Sequence, residues 1–170
     1  MKTKIKNFES VLYGKNYTDP VDGWRKYLDE DSVVDFYLEN EFIKNWDGDF
    51  FLSTYFYTND YSDPTAKFFM GPIWDLDRTA ACKTSGSSTV MSPKGWWLDG
   101  SGVGHASQPG DVHKKHWFTR ITNDQGFQKA LKARWAEKRS TFKAVGDTGV
   151  DAAASELGKN VAANDRSVWQ

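Results

Sequence analysis

Apolar residues recur at helical spacing over several stretches of the chain and at a period of two over another, and this contrast predicts the order of elements. From Thr3 to Tyr13, the residues Ile5, Phe8, Val11 and Leu12 share one side and predict a first helix, broken by Asn16 to Thr18. Asp19 followed by Pro20 predicts the cap and first position of a second helix, where the missing proline N–H costs nothing. That helix carries Val21, Trp24, Tyr27 and Leu28. Ser32 followed by Asp35 resembles a capping box, with Asp in the usual place of Glu. Val33, Val34, Tyr37, Leu38, Phe42 and Ile43 then recur through Lys44, in a stripe broad enough for burial on more than one side. The segment Asn45-Trp46-Asp47-Gly48 punctuates its end.

The period then becomes two. Phe50 to Tyr57 is aromatic and favours a strand on both faces. Asn59 to Pro64 is a turn region dense in Asn, Asp and Ser, and Lys67 to Trp74 follows as a second strand, so the pair predicts an antiparallel hairpin. Pro72 puts the end of that strand on an edge or outside the ladder. Residues 83–111 form a long Gly/Ser-rich loop without a stable period, with Trp96 and Trp97 expected to fasten it to the body. Helical pattern returns with Phe127, Leu131, Trp135 and Phe142, and a last helix is expected from Val150 to Trp169, with Ala154, Leu157, Val161 and Val168 on one side. The expectation is a single domain over residues 1–170 of the α+β class, predominantly helical with a small antiparallel β-hairpin.

Composition narrows the function classes. With 39% hydrophobic and 26% charged residues the chain has a globular balance, and its formal net charge of −1 supplies no basic footprint for nucleic acid. Aromatics reach 15%, so the core is expected to be rich in rings. The single cysteine, Cys82, excludes an internal disulfide and a cysteine-based zinc site within one chain. No apolar run approaches the roughly 18 residues of a membrane span. Met1 to Phe8 is polar and lysine-rich with no apolar stretch behind it, so no signal peptide is expected in this chain.

The candidate chemistry lies at the hairpin's open end. Asp47 precedes the first strand, whereas Asp75 and Asp77 follow the second. A hairpin brings its ends together, so these carboxylates are expected side by side. Convergent carboxylates suit a hard cation such as Mg²⁺, which binds through one or two of them plus substrate phosphates. Elsewhere, His113 and His116 with Asp111 offer a second arrangement for a metal, although loop-packing histidines are the plainer reading. Arg134 and Arg139 beside Trp135 offer a phosphate contact or, more plainly, a basic helix face.

Several segments together resemble one family, the spore coat protein H (CotH)-type atypical protein kinases. Tyr27 to Leu38 is similar to its KYLDxDSxxDYYL opening, Glu39 to Gly48 to NELxxNxDG, Ser53 to Tyr57 to STYLY, and Gly71 to Asp77 to GPxWDFD. Trp117 to Arg139 and Asn164 to Trp169 resemble its later segments, so the likeness runs from about Trp24 to Trp169. The resemblance implies the large lobe of an atypical protein kinase, using ATP with Mg²⁺ or Mn²⁺ to phosphorylate Ser/Thr on spore-coat or secreted proteins, at the spore surface or outside the cell. Protein kinases carry His-Arg-Asp, a short hairpin and then Asp-Phe-Gly. By position Asp47 matches the catalytic aspartate and Asp75 the metal-binding one, with Asp77 a candidate second ligand. Asn45, Thr54 and Trp74 are the residues expected to line the cofactor.

The chain departs from the ordinary kinase pattern in three places. Leu52 stands where a metal-holding Asn lies, with Ser53 and Thr54 the nearest polar substitutes, and Asp49 stands where a Lys lies. No Gly-rich motif or placeable strand lysine precedes Asp47, so the amino-terminal nucleotide-gripping half is expected to be a separate partner and the chain inactive alone. Thr84, Ser85, Ser87, Ser88 and Thr89 follow Asp75 as an activation loop would, or simply form a linker. The competing reading is a non-catalytic extracellular or spore-coat module, binding through its aromatics and holding structural Ca²⁺ at Asp47-Gly48-Asp49.

Overall fold

The computed structural model describes residues 1–45, 47–48, 50, 53–76, 79, 95–98 and 116–158. Helix α1, Lys2–Leu12, buries Phe8 and Leu12 completely. Its last carbonyls are met by the Arg120 guanidinium, which donates to Leu12 O (3.2 Å) and Gly14 O (3.0 Å) and lies over the Tyr17 ring. A cation there complements the helix carboxyl end.

The helix expected after Asp19 is instead a turn with one short 3₁₀ segment, Trp24–Lys26. Asp19 does cap: its Oδ1 accepts from the N–H groups of Val21 and Asp22, both at 2.8 Å. Gly23 then closes the turn onto the Asp19 carbonyl, so tightly that a Cβ would lie 2.3 Å from it. Trp24 and Leu28 are buried but Val21 is 73% exposed, so there was no continuous stripe to bury.

Helix α2, Glu30–Ile43, starts three residues earlier than the Ser32/Asp35 box implied. Asp29 is its cap, accepting from Ser32 N (2.9 Å), while the Ser32 hydroxyl donates to the Asp29 carbonyl (2.8 Å). Glu30 and Asp31 complement the dipole in the first turn. The broad stripe is as expected: Val33, Val34, Phe36, Tyr37, Leu38, Asn40 and Glu41 are all buried, although Phe42 is exposed.

The hairpin forms with much shorter strands than expected. Strands β1, Phe56–Tyr57, and β2, Phe69–Met70, pair antiparallel with Phe56 opposite Met70 and Tyr57 opposite Phe69. Gly71 N adds a bond to Tyr55 O at 2.9 Å. Phe68 turns away to bridge Leu28, and β2 packs on α2. Helix α3, Trp117–Ile121, packs on α1 and is followed by helix α4, Gln125–Ala144.

The core is a continuous set of rings. Phe8 meets Trp117 edge-on at 4.7 Å; Phe118 faces Phe36 and Tyr37; and Tyr37 and Trp24 both meet Phe127. The expected ring-rich interior is therefore present.

The backbone groups into two compact units, Met1–Lys132 and Ala133–Gln170. In the second, Trp135 stacks on Phe142 at 5.7 Å, a π-type turn spans Val145–Gly149 with Lys143 paired to Asp147, and helix α5 follows over 150–158. Ala154 and Leu157 are exposed, and Val161 and Val168 lie outside the described residues. No helix among the described residues is long and apolar enough to cross a membrane.

Candidate functional site

The site grows out of the carboxyl end of α2. Lys44 ends the helix in the left-handed conformation (φ 50°, ψ 54°), turning the chain back so that Asn45 N reaches Asn40 O at 3.0 Å. Two buried amides then form a relay. Asn40 Nδ2 donates to Phe36 O (2.8 Å), Asn45 Nδ2 donates to Asn40 Oδ1 (2.8 Å), and Asp47 N donates to Asn45 Oδ1 (3.2 Å). Asn40 and Asn45 are both fully buried, and such a satisfied polar network rigidifies what it holds. What it holds is Asp47, 2% exposed.

The next residues turn the chain toward the hairpin. Phe50 is left-handed (φ 69°), donates its N–H to Thr54 Oγ1 (2.9 Å), and sets its ring against Trp117 (4.8 Å) and Phe118 (5.3 Å). Ser53 N donates to the Asp47 carbonyl (3.3 Å), and the Ser53 hydroxyl donates to Asp75 Oδ2, also at 3.3 Å. Ser53 therefore touches both acidic residues and brings them to one end of the hairpin. Asp75 is left-handed as well (φ 61°) and solvent-exposed. Trp74 beside it is 60% exposed, with Tyr55 edge-on at 6.5 Å.

Lys44, Phe50 and Asp75 are the non-glycine residues with positive φ among those described, and all three belong to this site. A left-handed conformation costs such residues about 1–3 kcal/mol, and strain of this kind collects where geometry serves a function.

The groups shown in contact are the Asp75 carboxylate and the Ser53 hydroxyl, with Asp47 joined to Ser53 through its backbone carbonyl. Among the described residues no group of three or more His, Cys, Asp or Glu could hold a metal as a protein-only cage. A single exposed carboxylate such as that of Asp75 fits a cation that brings phosphate oxygens and water as its remaining ligands.

Asp47, Asp75, Asn45, Thr54 and Trp74 are all described, and hydrogen bonds link Asp47 to Asn45 and, through Ser53, to Asp75. Thr54 secures Phe50, and Asn45 shapes the turn around Asp47. Asp77, Trp46, Asp49 and Leu52 lie outside the described residues, as do Cys82, the serine and threonine cluster of 84–89, His105, Asp111 and His113. His116 is described and buried, its ring parallel to that of Phe50 at 5.9 Å. Arg134 pairs with Glu137 on its own helix.

Of the long loop, residues 95–98 are described: Trp97 and Leu98 are buried, whereas Trp96 is half-exposed against Tyr37. Three further residues shape the site without a local motif that marks these roles: Ser53 as the bridge, Phe50 as the anchor, and Glu41, which binds the backbone of Trp97 and Leu98. A glutamate inside an apolar helical stripe is the one local signal for Glu41.

The family model described as CotH kinase protein matches residues 2–170. No curated protein and no solved structure matches the chain.

Proposed function

The chain belongs to the CotH kinase protein family, and from that premise we propose that it carries the phosphotransfer groups of an atypical protein kinase. The observation that supports this reading is the Asp47–Ser53–Asp75 connection, which joins the end of α2 to the segment after β2. In this reading Asp47, held by Asn45, orients a substrate serine or threonine hydroxyl and takes its proton. Asp75, steadied by the Ser53 hydroxyl, is the carboxylate that would hold Mg²⁺ or Mn²⁺, with Asp77 as a second ligand. ATP with its divalent ion supplies the phosphoryl group and neutralises the charge that develops on it. The protein's own part is positioning and charge placement, which carry most of the catalysis in such reactions. Trp74 and Thr54 are the residues that would line the nucleotide. The acceptor is a secreted or spore-coat protein, and the place of action is the spore surface or outside the cell.

Cation binding is the direct test of this reading. Calorimetric titration with Mn²⁺ in the presence of ATP is expected to show binding that Asp75→Asn weakens by about tenfold or more, since it removes a charged ligand. Equal affinity in wild type and Asp75→Asn would remove the basis for this function.

A further inference from the structure

The last turn of α2 carries a second buried acid, Glu41, 6% exposed. One of its oxygens, Oε1, accepts from Trp97 N (2.6 Å) and Leu98 N (2.5 Å). The other, Oε2, accepts from Lys44 Nζ (3.0 Å), which also donates to the Gly95 carbonyl (2.5 Å). Burial pushes the Glu41 carboxyl above the usual range, against the pull of the Leu98 amide, Lys44 and the Trp97 amide. A buried charge is tolerated when it is paired and fully hydrogen-bonded, and here both oxygens are engaged.

The partners matter more than the bonds. Gly95 to Leu98 belong to the long segment that follows Asp75 in the chain. Lys44 is the left-handed residue whose backbone leads into Asn45, and Asn45 holds the N–H of Asp47. One carboxylate thus grips the segment beyond the second acid and the residue that aims the chain at the first. The same grip fixes Trp96 half-exposed beside Tyr37.

We infer that Glu41 is a positioning residue for the Asp47 turn: it clamps residues 95–98 onto the end of α2 and, through Lys44, holds the backbone that presents Asp47. The functional consequence rests on the phosphotransfer reading above, whereas the clamp itself is measurable without it.

The experiment combines amide hydrogen exchange with Mn²⁺–ATP affinity on the full 170-residue chain and its variants. Glu41→Ala is expected to speed exchange at residues 95–98 and also at Asp47 and Gly48 by about tenfold, with the amides of α1 unchanged. It also lowers Mn²⁺ affinity by about tenfold. Glu41→Gln keeps an oxygen for the two amides but sets an amide N–H against the Lys44 ammonium, so it is expected to restore residues 95–98 while Asp47, Gly48 and the affinity stay as in Glu41→Ala. Lys44→Met, which leaves Glu41 and its bonds to Trp97 N and Leu98 N in place but removes the Gly95 contact, is expected to loosen Asp47 and Gly48 while the amides of Trp97 and Leu98 stay protected, and it serves if Glu41→Ala does not fold. Faster exchange confined to 95–98 in Glu41→Ala, or unchanged exchange at Asp47 and Gly48 in Lys44→Met, would overturn the positioning role. If Asp75→Asn binds Mn²⁺ as wild type does, the phosphotransfer reading fails, and the exchange data still decide the clamp.

Discussion

Gly48 lies so close to the amide relay that a Cβ would sit 2.4 Å from Asn40 Oδ1 and 3.1 Å from Asn45 Nδ2. Gly48→Ala therefore has to part the two amides that hold Asp47. Overpacking of this kind costs about 1–3 kcal/mol, and urea denaturation is expected to show a loss in that range together with weaker Mn²⁺ binding. Asp47 and Asp75 were legible as residues because each sits in a short, dense motif at an element boundary. Ser53 was legible only as a polar substitute where an Asn would hold metal, not as the link between the acids, and Phe50 and Glu41 were not legible at all. Their partners lie far along the chain, 22 residues away for Ser53 with Asp75 and 56 for Glu41 with Trp97, and no local pattern encodes such a meeting.

At the level of elements, the boundary of α2 shows how a neighbouring strand alters a local signal. Ser32 carries the sequence signature of a cap, but its hydroxyl has two other tasks, donating to Asp29 O and accepting from Met70 N on β2 at 3.1 Å. Asp29 does the capping. Asp29→Ala is expected to cost about 1 kcal/mol, as the loss of an N-cap does. Ser32→Ala is expected to cost about 1–2 kcal/mol, because it leaves the Met70 amide without that acceptor. Thermal or chemical denaturation of the two variants checks both values, and a Ser32→Ala chain as stable as wild type would deny the helix-to-strand link. The hairpin was legible as a hairpin, but its strand lengths were not. Phe50 and Gly71 take positive φ, and Phe68 pairs with Leu28, so the ladder stops short on either side, with Phe68 buried while Tyr55, Tyr57 and Trp74 stay exposed. Alternating aromatics favour a strand and fill a core equally well, and the sequence pattern does not separate the two.

Across the larger unit, Met1–Lys132, the tie between distant segments is Asp124, buried at 3% exposure. Its Oδ2 accepts from Trp24 Nε1 (2.8 Å) and Arg25 Nη1 (2.5 Å), and its Oδ1 accepts from Gly126 N (2.7 Å). Arg25 also pairs with Glu30 at 2.6 Å. Burial alone would raise the Asp124 carboxyl, but the donors from Trp24, Arg25 and Gly126 and the Arg25 charge outweigh it and hold the group below the usual carboxylate range. A depressed folded value means stability that is complete above the unfolded value of about 3.9 and is lost as pH falls through the folded one. Denaturation followed from about pH 7 down to pH 2 is expected to show an acid limb that Asp124→Asn flattens, with a loss of about 1–3 kcal/mol at neutral pH. An unchanged acid limb in the variant would show that this carboxylate is not the group being titrated. Phe118 joins Phe36, Tyr37 and Phe50, and Phe118→Ala is expected to cost about 3–5 kcal/mol by the same assay.

The order of residues was enough to determine that α2 is buried on several sides, that a hairpin follows it, that two acids bracket that hairpin, and that the chain carries the marks of its family. These properties are periodic or contiguous, so neighbours along the chain carry them. Which residue caps α2, how short the strands are, and that Ser53, Phe50 and Glu41 shape the acidic site were decided only when distant segments packed together. Hydrogen bonds and ring contacts between residues tens of positions apart depend on the path of the backbone in space, and that path is set by the whole core at once.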